Sequence, residues 1–235
     1  MDATDKTMLI TGASTGIGAA TARSALAEGF SLVLSSRGEE KLRTLESELD
    51  GGDRVLIHPA DVAEWDQVEA LVTAGSERFG SIDVVFANAG FGAARGFMEE
   101  TPEQWKQMIL TNVLGVALTI RATLPRLLEQ GTGHFVITSS VAGRRSLPGS
   151  LYSATKWAVT GMGESLRQEL RSMHENTKIR VTLIEPGMVD TPFFDNKPSG
   201  ALEADDIARA VMYAIDQPEH VDVNEILIRP SSQPV

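Results

Sequence analysis

The chain has 235 residues, 21 Lys plus Arg against 32 Asp plus Glu, a formal net charge of −11, and 42% hydrophobic residues. That length can bury a sizeable core and suits one α/β domain over residues 1–235, while the acidic balance argues against nucleic-acid or membrane partners. The absence of cysteine excludes disulfides, thiol catalysis and cysteine metal sites.

The chain opens on Met1-Asp-Ala-Thr-Asp-Lys, with no basic region leading into an apolar stretch. The longest apolar runs are expected to be broken by polar residues before the roughly 20 needed to span a bilayer. A cytoplasmic protein is the expectation. Strand-like runs follow at Thr7–Ile10, Leu32–Ser35, Val55–His58, Val84–Ala87, Phe135–Thr138, Val181–Ile184 and Glu225–Ile228. Several are apolar on both faces, as parallel strands covered on either side require. Helical patterns lie between them, over about 16–28, 38–49, 64–79, 102–130, 152–173 and 203–216. The alternation predicts a doubly wound parallel sheet of about seven strands with helices on both faces. His58, His134, His174 and His220 show no metal-ligand spacing, so no metal is expected.

One helix start is well signed: Thr101 as cap, Pro102 at the first helical position and Gln104 as the other half of a capping box. An apolar stripe then runs through Trp105, Met108, Ile109, Val113, Val116, Ile120 and Leu124. Asn112 falls on or beside it, where a buried amide needs partners.

The first strand runs into Thr11-Gly-Ala-Ser-Thr-Gly-Ile-Gly18 and then an Ala-rich helix. Gly12, Gly16 and Gly18 allow a tight turn and close approach to a pyrophosphate, and the helix N-terminus favours negative charge. Ser14, Thr15 and Ile17 fill the same loop. The spacing is one residue longer than the common dinucleotide fingerprint, and a plain turn is the competing reading. The second strand ends at Ser35-Ser36-Arg37, where an acid would accept from ribose hydroxyls. Ser36 and Arg37 offer a hydroxyl and a cation instead, which suits a 2′-phosphate and points to NADP(H); a solvated loop charge is the alternative.

Tyr152 and Lys156 lie four apart and emerge on one helix face. A phenol with a pKa near ~10 exchanges protons poorly at neutral pH unless a cation stabilises the phenolate. Ser139 and Ser140 end the preceding strand, where such sheets bind ligands.

With these residues in order, the chain resembles the short-chain dehydrogenase/reductase family of the roughly 250-residue type. The motifs are Thr11–Gly18, Asp61-Val62, Asn88-Ala89-Gly90, Asn112, Ser139–Gly143, Tyr152-Ser-Ala-Thr-Lys156 and Pro186-Gly187-Met188-Val189-Asp190-Thr191. Ile184–Gly187 and the ending Glu225–Pro230 are similar to the serine/3-hydroxy-acid and clavulanate dehydrogenase branch. The resemblance implies a Rossmann-like fold and carbonyl–alcohol interconversion by hydride transfer. It implies a catalytic tetrad of Asn112, Ser140, Tyr152 and Lys156, with Tyr152 as general acid/base and Ser140 polarising the substrate oxygen. Lys156 would lower the Tyr152 pKa and bond the nicotinamide ribose, and Asn112 would hold a relay water that gives its amide a partner. Asp61 and Val62 would contact adenine, and Asn88, Ala89 and Gly90 would lie beside its ribose. Pro186, Gly187, Val189 and Thr191 would line the nicotinamide end.

Two departures from the family pattern bear on the site. The stretch from Ser140 to Tyr152 is one residue short, so counting back selects Ser139, whereas aligning Ser-Val-Ala-Gly selects Ser140. Between Thr191 and Ala204 only a short lid fits. Pro192, Phe193 and Phe194 can wall the substrate, with Pro198-Ser199-Gly200 as a turn and a partner's Ser231–Val235 tail closing part of the gap. Arg95, Arg144 and Arg145 read first as solvated loop arginines and second as contacts to an anionic substrate, and Phe91, Phe97 and Leu147 as apolar walls or as core or interface residues. The resemblance also implies a homodimer or homotetramer through the two helices carrying Asn112 and Tyr152, with Val116, Leu118, Ile120, Trp157, Val159 and Met162. The rival readings are a non-catalytic NADP(H)-binding sensor or scaffold, and the longer epimerase/dehydratase type, whose sugar-nucleotide domain this chain has no room for.

Overall fold

The computed structural model describes residues 5–92, 96–148, 151–174, 177–194 and 199–233. β1 (Thr7–Thr11) leads through α1 (Gly16–Ala27) to β2 (Ser31–Ser35), then through α2 (Glu39–Leu49) to β3 (Val55–Ile57). α3 (Trp65–Phe79) returns the chain to β4 (Val84–Ala87). α4 (Pro102–Ile109), a π-helical turn (Leu110–Leu114) and α5 (Gly115–Gln130) then lead to β5 (Thr132–Thr138). After α6 (Leu151–Ser172) come β6 (Lys178–Pro186), β7 (Val189–Asp190), β8 (Leu202–Glu203), α7 (Ala204–Asp216) and β9 (Glu225–Ile228).

Seven strands form one parallel sheet in the order β3-β2-β1-β4-β5-β6-β9. β5 and β6 extend beyond their apolar runs, because Thr132 and Gly133 pair through the backbone with Lys178 and Ile179. β7 and β8 pair separately, two residues each, with too little side-chain pattern to be foreseen. Alternation along the strands feeds two cores. Met8, Ile10, Leu32, Leu34, Phe86 and Ile184 pack with residues of α1, α2 and α7 on one face. Leu9, Val33, Val85, Phe135, Val181 and Leu183 pack with α3, α5 and α6 on the other.

The capping box at Thr101 and Gln104 forms, with both reciprocal bonds in place. The stripe beyond it differs from expectation. Gly115 N–H bonds to Leu110 O, closing a turn that takes more residues than the ~3.6 of an α-helix. The inward positions therefore become Met108, Asn112, Val116 and Ile120, while Ile109 is 45% exposed. By length and composition Pro102–Gln130 is apolar enough to cross a membrane, contrary to the expectation of interrupted runs. Here its inner face lies against β4, β5, α3 and α6.

Candidate active site

β2 lies on one side of β1 and β4 on the other, so the chain's crossovers diverge at the C-terminal ends of β1 and β4, where such sheets leave a crevice. A cleft of about 630 Å³ opens there. Gly12 leaves β1 at φ +65°, and a Cβ on it would come within 2.8 Å of Ala89 Cα. Gly16, at φ +55°, faces Thr191 at 3.0 Å by the same construction. Gly12, Ser14, Thr15, Gly16 and Ile17 line the cleft. Gly18 is not on the wall; a Cβ there would lie 2.2 Å from Gly12 O, so it lets α1 pack onto the loop. Thr15 at the N-cap makes no side-chain cap bond, and the first turn of α1 carries no acid.

Beyond the end of β2, Ser36 and Arg37 line the same end, with Gly38, Glu40 and Lys41. Lys41 lies in the first turn of α2, just after the Ser36-Arg37 loop that it joins on the cleft wall. Ala60 N–H bonds to Ser36 O at 3.1 Å, setting Asp61 and Val62 beside this end. Asp61 Oδ1 accepts from Ala63 N–H at 3.0 Å. Val62 is buried, packed where a Cβ on Gly115 would fall.

Asn88, Ala89 and Gly90 line the cleft, but the Asn88 side chain works as a brace. Its Nδ2 donates to Thr11 O and Gly12 O, both at 3.2 Å, and its Oδ1 accepts from Thr138 Oγ1 at 3.0 Å. The amide thus ties together the ends of β1, β4 and β5.

The two serines after β5 face opposite ways. Ser139 Oγ bonds to Thr160 Oγ1 at 2.7 Å and donates to Lys156 O at 3.2 Å, into α6. Ser140 Oγ accepts from Ala142 N–H at 3.1 Å and donates to Pro186 O at 3.3 Å. Ser140 is also the hydroxyl whose hydrogen bond draws the Tyr152 pKa downward. Tyr152 keeps part of its surface open to the cleft, yet the packing around its hydroxyl outweighs Ser140 and pushes the pKa up to about 12. Desolvation is the larger cause, and the Lys156 ammonium stands 5.6 Å from the Tyr152 ring centroid while donating to Thr138 O at 2.8 Å. Burial lowers Lys156 itself to about 8, which leaves it mostly protonated at neutral pH.

Asn112 is fully buried in the π turn, where protein groups bond its amide. Oδ1 accepts from Phe91 N–H at 3.0 Å, and Nδ2 donates to Phe91 O at 2.9 Å and to Thr155 Oγ1 at 3.2 Å. It therefore locks the segment after Gly90 to α6 at Thr155, the residue next to Lys156.

Pro186, Gly187, Met188, Val189 and Thr191 form the far wall, with Phe91, Leu147 and Pro192-Phe193-Phe194. The Phe193 ring stands edge-on to Tyr152 at 5.5 Å and over Gly92, where a Cβ would meet it at 2.5 Å. Phe97 is not on the wall; it pairs with Trp105 at 6.0 Å. Arg144 is held by buried Glu185 at 2.7 Å and by Glu225, and Arg145 is exposed off the cleft. Burial raises the Glu185 pKa, opposed by Arg144. Arg95, Asp195–Pro198, Pro234 and Val235 lie outside the described residues. Ser199 and Gly200 do form a turn. The tail expected from a partner reaches the cleft in the same chain, through Gln233. Among the described residues no cluster of His, Asp and Glu could hold a metal.

A family model described as short chain dehydrogenase matches residues 6–201. An uncharacterized oxidoreductase of Staphylococcus aureus is 38% identical over 231 residues, 97% of this chain and 98% of that protein. An alcohol dehydrogenase from the archaeon Thermococcus sibiricus, solved with 5-hydroxy-NADP, is 35% identical with TM-score 0.89 over 98% of each chain. Serine dehydrogenase from Escherichia coli, 30% identical, has TM-score 0.87 over 97% of this chain and 100% of that one. These likenesses do not single out the serine dehydrogenase branch, but the motifs, the sheet order and the span of the match together have one conclusion: the chain belongs to the short-chain dehydrogenase family of oxidoreductases.

Proposed function

We propose that the chain is an NADP(H)-dependent oxidoreductase that interconverts a carbonyl and an alcohol, one domain carrying both the cofactor and the catalytic residues. The observation that carries this reading is the convergence of Tyr152, Ser140 and Lys156 on a cleft whose opposite end is built from positions that exclude a Cβ. That end fits a dinucleotide. Gly12 and Gly16 let the pyrophosphate approach the backbone, and the uncapped first turn of α1 offers unpaired N–H groups. Arg37, Lys41 and Ser36 supply donors for a 2′-phosphate, as the 5-hydroxy-NADP in the Thermococcus sibiricus enzyme encourages, although Glu40 shares that wall. Asp61, Val62 and the backbone of Ala89 and Gly90 would hold the adenosine, and Pro186, Gly187, Val189 and Thr191 the nicotinamide.

When bound, the nicotinamide supplies or accepts the hydride. In reduction, Tyr152 Oη gives its proton to the carbonyl oxygen, and a phenol held above its ordinary pKa is protonated at neutral pH, as this step needs. The Ser140 hydroxyl polarises the same oxygen. The Lys156 ammonium stabilises the phenolate left behind and would bond the ribose, while Asn112 holds the Phe91 segment against α6. Trp157, 49% exposed on α6, supports a homo-oligomer, although Val116, Ile120 and Val159 belong to the core instead. We place the enzyme in the cytoplasm, with the nicotinamide pool it would draw on.

The test is NADPH consumption with a panel of ketones, β-keto acids and aldehydes. Tyr152→Phe should lower turnover by about 10²–10⁴-fold with NADPH affinity nearly unchanged. A wild type that binds NADPH and reduces nothing in the panel would favour a sensor or scaffold.

A further inference from the structure

Gly187 and Met188, between β6 and β7, form the part of the cleft wall that leads into Val189 and Thr191. Their backbone is tied down from three directions. Gly187 N–H bonds to Ile228 O at 2.7 Å, at the end of β9, and Met188 O accepts from Leu202 N–H at 2.9 Å, on β8. The third tie is a side chain: Gln233 Oε1 accepts from Met188 N–H at 2.9 Å, from 45 residues further along.

The tail is shaped to deliver it. Gln233 N–H closes a turn onto Pro230 O at 3.0 Å. The amide then crosses Gly187, where an added Cβ would lie 2.2 Å from Oε1, so the approach depends on a glycine there. Ser232 Oγ lies 2.9 Å from where a Cβ on Gly200 would stand, beside a residue at φ +66°. Gln233 also forms part of the cleft wall, yet it belongs to none of the motifs that carry the chemistry. A half-buried N–H that loses its acceptor must find water or shift, and a two-strand ladder of two residues each is a weak restraint by itself.

We propose that Gln233 is a positioning residue: the chain's own C-terminal tail sets the Gly187–Thr191 wall and thereby the affinity for the nicotinamide end of the cofactor. This rests on the nicotinamide reading of the cleft. Gln233→Met keeps the length of the side chain and removes the acceptor, whereas Gln233→Glu keeps an acceptor oxygen. The measurements are hydrogen–deuterium exchange over residues 186–191 in the cofactor-free protein, NADPH affinity by fluorescence titration, and melting temperature.

The expected result for Gln233→Met is faster exchange in that segment and NADPH binding weakened by about three- to tenfold, with the melting temperature nearly unchanged. Gln233→Glu should restore both toward wild type. Unchanged exchange in Gln233→Met overturns the proposal, and so does faster exchange with unaltered NADPH affinity. A wild type that binds neither NADPH nor NADH removes the cofactor reading and this role with it, whereas the exchange data would still report the tie itself.

Discussion

At the glycine end of the cleft the wall is backbone; at the substrate end it is side chain. Gly12 leaves no room for a Cβ and Gly16 very little, and Asn88 ties three strand ends behind them. Facing the substrate, Phe193 rests on Gly92 and against Tyr152, while Phe194 is 38% exposed. A backbone wall has one shape and accepts one ligand geometry. A wall of partly exposed rings can move between rotamers and adapt to ligands of several shapes. One fold thus holds a fixed half and an adaptable half, and Tyr152, the proposed acid/base, stands at their boundary.

The sharpest division is between the two serines at that boundary. Ser140→Ala removes the hydroxyl beside the phenol and should lower turnover by about 10²-fold or more, on the scale of losing one polarising donor. Ser139→Ala loses bonds into α6 and should instead reduce stability by about 1 kcal/mol with activity changed only a few-fold. Turnover and thermal melts of the two variants check this, and the reverse order would reassign the serine.

A smaller effect is expected at the fixed end. Arg37→Asp should weaken NADPH by about ten- to a hundredfold and relatively favour NADH, since a carboxylate repels phosphate and accepts from ribose hydroxyls. Titration of both cofactors against wild type and variant reads this directly; a wild type preferring NADH would defeat it. The smallest effect belongs to the adaptable end. Across ketones of increasing apolar bulk, kcat/KM should rise by about three- to fourfold per methylene buried, and Phe193→Ala should flatten the trend. A clear preference for the smallest ketones would mean that the substrate end is closed.

The fixed half was legible in the sequence because its residues sit in short motifs, even where the atoms that crowd them, Ala89 on Gly12 and Thr191 on Gly16, come from far along the chain. A glycine that must lack a Cβ, or a Tyr and Lys on successive turns, leaves a local mark. The choice between the serines rested on loop length in the sequence; in the fold Ser139 bonds into α6 and Ser140 hydrogen-bonds the phenol. Three features left no such mark. The π turn was hidden because apolar residues occupy both the inward and the outward spacing, so Ile109 read as core. The burial that raises the Tyr152 pKa comes from tertiary packing around its hydroxyl, which the spacing of Tyr152 and Lys156 does not carry. Gln233 reaches Met188 only because β9 docks beside β6, a pairing that no short window of sequence contains.

The π turn also means that this stretch carries one residue more than a regular helix needs. Deleting one residue between Leu110 and Leu114 would allow ordinary helical geometry and leave Met108 and Val116, then seven apart, within about 20° of one face. What the deletion removes is the wide turn that seats Asn112 on Phe91 and Thr155. The core would close over a lost codon, whereas the segment after Gly90 would lose its tie to α6.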